Sequence, residues 1–196
     1  MCIRDSVGPH TALIKIEGTI EAKGAGDADT VISALTKAYA DPGSVGLILQ
    51  INSPGGSPVQ AGIINDEMTR LRKKYPQKPL YVVVNEMCAS GGYYIAAAAD
   101  RIYVNKASIV GSIGVLMDGF GFTGTMEKLG VERRMLTAGN NKGFMDPFSP
   151  QTETQKLYAQ DMLNEIHAQF IDVVRKGRGK RLKETPETFS GLVWTG

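Results

Sequence analysis

The chain has 196 residues, 42% hydrophobic and 21% charged, a composition typical of a globular domain with a substantial core. Its 22 basic and 20 acidic residues give a formal net charge of +2, so nothing suggests a nucleic acid or an anionic membrane surface as partner. The two cysteines, Cys2 and Cys88, predict neither a disulfide framework nor a metal site.

Strands and helices are predicted to alternate along the chain. Strands are predicted at 11–20, 45–52, 79–84, 101–104, 109–117 and 132–136, the first three of them from apolar or alternating runs. Helical spacing and small-residue runs predict helices at 29–39, 58–74, 89–98, 125–129 and 152–176. This alternation predicts an α/β domain with a mostly parallel sheet.

The two ends of the chain differ from the rest. Residues 1–6 (MCIRDS) fit poorly with the rest of the chain, and we interpret them as a non-native scar rather than a signal peptide, which would need an apolar region directly after them. No stretch approaches the roughly 20 apolar residues of a transmembrane helix. Residues 192–196 end on an apolar-to-turn stretch, so we expect 7–196 to be one domain truncated at its C-terminus.

The first candidate site is the segment 52–56 (NSPGG), which comes directly after a predicted buried strand. Ligands of open α/β sheets bind at the carboxyl ends of the strands. The consecutive glycines Gly55 and Gly56 could present bare backbone N–H groups to a ligand, as an oxyanion hole requires. A tight strand-to-helix turn is the alternative for this glycine pair.

The second candidate site is Ser90, within the segment 87–94 (MCASGGYY) at a predicted strand-to-helix junction. Such a serine has an exposed hydroxyl, and the helix N-terminus favours developing negative charge. The arrangement shares the logic of a nucleophile elbow without matching its Gly-x-Ser-x-Gly pattern. At this point Ser90 could equally be a helix N-cap.

A serine nucleophile needs a base, and the sequence offers two histidines and several lysines. His10 lies beside the doubtful N-terminus and His167 falls inside a predicted helix, so a histidine triad is disfavoured. A lysine acts as a base only when burial or nearby positive charge lowers its pKa. Lys142 is the candidate, because it lies in a loop, 137–150, that mixes glycine with apolar residues.

Three blocks together resemble the signal peptide peptidase A family, also called protease IV. They are 52–56 (NSPGG), 89–96 (ASGGYYIA) and 111–115 (GSIGV), and they occur in the family's order. The resemblance runs from about Thr11 to Gly196. It implies a fold related to Clp protease and crotonase, with repeated β-β-α units and a mostly parallel sheet.

The resemblance also implies site residues and a reaction. Ser90 matches the nucleophile, Lys142 the general base of a Ser–Lys dyad, and Ser112 a serine that orients the lysine. Gly56 matches the oxyanion-hole glycine, and the Gly91 N–H is a plausible second donor. These roles imply a serine endopeptidase that hydrolyses apolar peptides, such as cleaved signal peptides, through an acyl-enzyme, with no metal or organic cofactor.

The resemblance further implies partners and a location. Neighbouring copies should complete each site in a homo-oligomer, and the full-length protein should be associated with the bacterial inner membrane, its catalytic domain outside the cytoplasm. The membrane-anchoring N-terminal helix of many members is missing here, so the fragment itself is expected to be soluble. A catalytic domain truncated at its C-terminus could also be inactive.

Three alternatives remain open on the sequence. A crotonase-like acyl-CoA enzyme would use the glycine-rich oxyanion hole to stabilise an enolate, but it would need a carboxylate acid/base instead of a serine nucleophile. A related peptidase of phage head maturation or membrane-protein turnover would share the dyad and differ in substrate. A scaffold of the same fold would have lost catalysis, and the presence of both Ser90 and Lys142 speaks against that.

Overall fold

A computed structural model describes residues 8–24 and 26–196. The segment interpreted as a scar, 1–6, lies outside the described residues. The strands are β1 (His10–Glu17), β2 (Ser44–Ser53), β3 (Leu80–Ala89), β4 (Arg101–Tyr103), β5 (Ile109–Gly111) and β6 (Val193–Thr195). The helices are α1 (Ala28–Ala40), α2 (Pro58–Lys74), α3 (Gly91–Ala96), α4 (Thr123–Lys128) and α5 (Glu153–Arg178), with a 3-10 turn at Gly179–Arg181 directly after α5.

The six described strands form one sheet in the order β1-β2-β3-β5-β6, and β4 also pairs with β3. Every described pairing is parallel except that of β5 with β6. The long strand β3 pairs with β4 near its start and with β5 at its end. The predicted α/β fold with a mostly parallel sheet is confirmed.

Local signals place the first two helices where the sequence predicts them. Asp27 caps α1 by accepting a hydrogen bond from the Thr30 N–H at 2.9 Å, and Ser57 caps α2 from directly before Pro58. The core combines buried side chains of α1, α2 and α3 with aliphatic side chains of β1, β2 and β3. Because β1, β2, β3 and β5 pair in parallel, their carboxyl ends lie at one edge of the sheet.

The chain divides into two compact units. The first runs up to Gly114 and resumes from His167 to Gly196, and it contains the whole sheet. In this unit the C-terminal half of α5 packs Phe170 and Val174 against Ala97 and Ile113. The second unit, Val115–Ile166, contains α4 and the N-terminal half of α5.

Several predicted strands differ from the structure. The strand predicted at 11–20 ends at Glu17, and the strand predicted at 79–84 continues to Ala89. The strand predicted at 109–117 ends at Gly111, because Gly111 and Ser112 both have positive φ, 100° and 53°, and the Ser112 N–H turns to the Leu192 carbonyl. The strand predicted at 132–136 is wrong: this exposed segment has no ladder partner in the described part of the chain. Short strands persist only where a neighbour supplies hydrogen bonds.

Candidate active site

Ser90 lies between the end of β3 and the start of α3 in a strained backbone conformation. Its φ of 50° and ψ of −120° are rare for any residue other than glycine, and such strain is concentrated at functional sites. The Ser90 N–H donates to the Gly111 carbonyl and the Tyr94 N–H donates to the Ser90 carbonyl, both at 2.9 Å. These two bonds hold the turn in place.

The hydroxyl of Ser90 does not cap helix α3. Although Ser90 occupies the N-cap position of α3, its side chain makes no capping hydrogen bond among the described residues. The side chain is half-buried. The N-cap role that the sequence left open is therefore not the role of this hydroxyl, which is available for chemistry.

Gly55 and Gly56 have no side chains, and their backbone lies directly against the turn at Ser90. A Cβ built on Gly55 would lie 2.7 Å from both the Ser90 Cβ and the Gly91 nitrogen. A bridge to Ile20 fixes this loop: the Ile20 N–H donates to the Gly55 carbonyl at 2.8 Å, and the Ser57 N–H donates to the Ile20 carbonyl at 2.7 Å. The N–H of Gly56 takes no part in that bridge.

The N–H groups of Gly56 and Gly91 lie on adjacent backbone. A Cβ built on Gly91 would lie 3.3 Å from the Gly56 nitrogen. Gly91 is the first residue of α3, so its N–H has no acceptor within the helix. Two N–H donors beside a serine hydroxyl are the arrangement that stabilises an oxyanion.

Gly55→Ala is expected to abolish activity and to destabilise the fold. At its φ of 102° an L side chain is strained by about 1–3 kcal/mol, and the new Cβ would overlap Ser90 and Gly91. The matched control is Gly62→Ala in α2, where the nearest atom to a new Cβ is the Tyr94 hydroxyl at 3.9 Å. That variant should keep activity and gain about 0.5–1 kcal/mol in helix stability.

Thermal unfolding and peptidase assays on both variants test this expectation. A Gly55→Ala protein with unchanged melting temperature and turnover would show that the close approach of this loop to Ser90 is unimportant.

Ser112 lies beside Ser90 at the same edge of the sheet. β3 and β5 are parallel neighbours with Ala89 paired to Gly111, so Ser90 and Ser112 are the first residues after two adjacent strands. Adjacent strands are about 4.8 Å apart. The Ser112 N–H donates to the Leu192 carbonyl at 2.7 Å, directly before β6. The structure thus brings Ser90, Gly56, Gly91 and Ser112 together.

Lys142 belongs to the second unit. It is exposed, and its loop is a series of turns in which the Lys142 N–H donates to the Gly139 carbonyl at 3.1 Å and the Phe144 N–H to the Asn141 carbonyl at 3.0 Å. In the same unit the Asp146 carboxylate accepts from the Ser149 hydroxyl at 2.7 Å. Ser90 belongs to the first unit and Lys142 to the second, so the pairing of the two residues is a proposal.

The other nucleophilic or basic candidates have structural roles. Cys88, two residues before Ser90, is completely buried, and burial raises the pKa of its thiol to about 12, so it is not a thiolate nucleophile. The Nε2 of His167 lies 3.1 Å from the Ile113 carbonyl oxygen, and His10 pairs with Asp41 at 3.2 Å. The residues that the structure describes include no group of His, Cys, Asp and Glu side chains suited to a metal ion.

Two features that support this edge of the sheet were not predicted from the sequence: strand β6 and the side-chain hydrogen bond of Asn52. The strand β6 was not predicted, yet it pairs with β5, and Trp194 covers Gly111 so closely that a Cβ there would lie 2.4 Å from the indole ring. Asn52 was noted only as part of a loop motif, but its Oδ1 accepts from the Met87 N–H at 3.2 Å. An amide residue at a strand end, three residues before a glycine pair, is the signal that could have indicated it.

The parallel sheet and the strained serine beside two glycine N–H groups are the arrangement of a serine-type hydrolase. A model of peptidase family S49 matches residues 72–196, a range that contains Ser90, Gly91, Ser112 and Lys142. The chain belongs to peptidase family S49, which places it among the serine-type peptidases and accounts for its Clp/crotonase-like fold.

Three relatives illustrate the range of proteins that this chain is similar to. It is 42% identical to a protein of Brucella melitensis named Na(+)/H(+) antiporter NhaA, over 97% of this chain and 26% of that protein. It is 36% identical to a putative protease of Methanocaldococcus jannaschii, over 87% of this chain and 54% of the relative. It is 32% identical to a putative signal peptide peptidase SppA of Enterococcus faecium, over 84% and 47%. The chain thus spans about a quarter to about a half of these relatives.

Proposed function

We propose that the protein is a serine endopeptidase that hydrolyses apolar peptides, such as cleaved signal peptides, with a Ser–Lys dyad of Ser90 and Lys142. The observation that carries the proposal is the turn at Ser90. It combines a strained backbone, a hydroxyl that makes no capping hydrogen bond and two adjacent glycine N–H groups. Membership of peptidase family S49 supports it.

In the proposed reaction the neutral amine of Lys142 removes the proton from the Ser90 hydroxyl. The Ser90 Oγ attacks the peptide carbonyl carbon, and the N–H groups of Gly56 and Gly91 donate hydrogen bonds to the developing oxyanion. The protonated Lys142 gives its proton to the leaving amine, and a water molecule then hydrolyses the acyl-enzyme. The Ser112 hydroxyl, at the same edge of the sheet, orients the lysine amine.

Two observations support an extended, apolar peptide as substrate. The N–H of Gly56, beside the turn at Ser90, takes no part in the bridge to Ile20, so it can bond to the main chain of a bound strand. One similar protein, from Enterococcus faecium, is named as a signal peptide peptidase. A peptide that pairs through its main chain places alternate side chains against the enzyme, so its apolar residues would determine the preference.

Peptides with small or aliphatic residues before the scissile bond are therefore expected to be cleaved faster than peptides with acidic residues there. The kcat/KM of two matched peptide series, identical except for these positions, measures the preference. Equal values for the aliphatic and the acidic series would contradict the proposed substrate class.

We further propose that the working enzyme is a homo-oligomer whose neighbouring copies cover the second unit. This unit exposes many large apolar side chains, including Leu116 (79%), Phe120 (81%), Leu129 (72%) and Leu136 (100%). Exposed apolar area of this extent in a short segment is typical of an interaction surface. Covering it would also take water away from the Lys142 loop, as a lysine base requires.

The family resemblance also leads us to propose a full-length protein associated with a membrane, with its catalytic domain outside the cytoplasm. Of the helices in the described ranges 8–24 and 26–196, none combines the length and apolar character needed to cross a bilayer.

A further inference from the structure

An open groove of about 860 Å³ lies in the first unit beside the proposed active site. Pro54, which lines it, directly precedes Gly55, and Met87, which also lines it, is three residues before Ser90. At about 3.3 Å per strand residue, Met87 is at most about 10 Å from the serine. The groove is therefore within reach of a peptide whose scissile bond lies at Ser90.

A bulge in β3 forms one wall of this groove. β2 and β3 pair at Ile51 with Val84 and again at Ser53 with Cys88, so three residues of β3, 85–87, face one residue of β2. Such bulges redirect side chains and are often found next to active sites.

Side chains from both neighbouring strands hold the bulge in shape. The Asn85 carbonyl accepts from the Ser108 hydroxyl at 2.7 Å, and the Asn85 Oδ1 accepts from the Gln50 amide at 2.7 Å. The Met87 N–H donates to the Asn52 Oδ1 at 3.2 Å. Ser108 is almost completely buried. The wall is therefore formed before any ligand binds.

Glu86, at the centre of the bulge, gives the groove its charge. It is exposed and is the one ionisable side chain among the residues that line the groove. In the described part of the chain no ion pair contains Glu86, not even with the exposed Lys106, which lies between two lining residues in the sequence. A carboxylate without a partner in a preformed groove fits a cationic group.

We propose that this groove binds a basic side chain of the peptide substrate, about three residues from the scissile bond, with Glu86 as its counter-ion. The proposal rests on the proposed peptidase function and adds a specificity determinant to it. Pro54, Met87 and Ile109 line the groove, and their apolar atoms suit the methylene stem of a lysine or arginine.

The test is a lysine scan of an otherwise apolar peptide, from the fourth residue before the scissile bond to the fourth after it. Each lysine peptide is compared with its norleucine equivalent, which keeps the stem and lacks the charge. We expect kcat/KM for lysine to exceed that for norleucine by about fivefold at one position near the third residue, as for a partly exposed ion pair. This preference should weaken as salt is added.

Glu86→Gln should remove the lysine preference, so that each lysine peptide and its norleucine equivalent are cleaved with similar kcat/KM. The matched control, Glu187→Gln, changes a glutamate outside the groove and should keep the preference. A preference that survives in Glu86→Gln, or no preferred position in the full-length protein, would overturn the proposal. If no peptide of either series were cleaved, the proposed function itself would fail and the groove assignment with it.

Discussion

Replacing Ser90 by alanine is expected to lower kcat/KM by about 10⁴-fold or more, because removal of the nucleophile leaves only substrate binding and the oxyanion hole. The fold should remain intact. The Ser90 hydroxyl makes no capping hydrogen bond in the described structure, and alanine meets the same backbone strain as serine at a φ of 50°. The free energy of unfolding should change by less than about 1 kcal/mol.

Initial rates on the aliphatic peptide series, together with thermal unfolding, measure both expectations. Ser190→Ala is the matched control, because Ser190 is exposed and, among the residues that the structure describes, its hydroxyl bonds only to the Glu187 carbonyl in its own turn. More than a tenth of normal activity in Ser90→Ala would exclude this serine as the nucleophile.

Replacing Lys142 by alanine should reduce kcat/KM at least tenfold, which corresponds to about 1.4 kcal/mol of transition-state stabilisation. Because the two residues of a dyad act as one unit, the Ser90→Ala/Lys142→Ala double variant should be little worse than either single variant. Lys128→Ala, another exposed lysine of the second unit, is the matched control and should keep full activity. A Lys142→Ala enzyme with more than a tenth of normal kcat/KM would require a different base.

If neighbouring copies complete the site, activity should also depend on protein concentration. Wild-type specific activity should rise with protein concentration as the oligomer forms, and sedimentation at the same concentrations should show the monomer disappearing. A monomer with full specific activity would contradict the role given to neighbouring copies.

Most of the first unit could be predicted from sequence, because local patterns determine it. Asp27 and Pro58 mark the beginnings of α1 and α2, and the apolar run at 45–52 matches the buried strand β2 almost to its ends. The segment at Ser90 drew attention as a serine between small residues at a strand end, and the family resemblance then favoured a nucleophile over an N-cap. In these places the local preference and the final fold agree.

The remaining features depend on contacts that are distant in sequence. The strand β6 exists because Val193–Thr195 pairs with β5, more than 80 residues earlier, and three residues carry too little pattern to reveal it. The segment 132–136 (ERRML) was predicted as a strand, but its charged side chains form ion pairs such as Arg133 with Asp146 and the segment stays exposed.

The backbone strain at Ser90 was also beyond sequence reasoning. At this turn Gly55 approaches closely and the Ser90 N–H donates to the Gly111 carbonyl, and the chain brings these two segments to Ser90 only when folded. The pattern of residues indicated where a nucleophile could lie, and the structure adds that this serine lies in a strained turn against two glycines.

The most direct test of the dyad is the site and rate of labelling by a fluorophosphonate, which reacts with an activated serine whatever the peptide preference. Mass spectrometry of the labelled full-length protein should locate the adduct on Ser90, and labelling should slow at least tenfold in Lys142→Ala and remain normal in Lys128→Ala. An adduct on a different serine, or a labelling rate at Ser90 that does not depend on Lys142, would contradict the account.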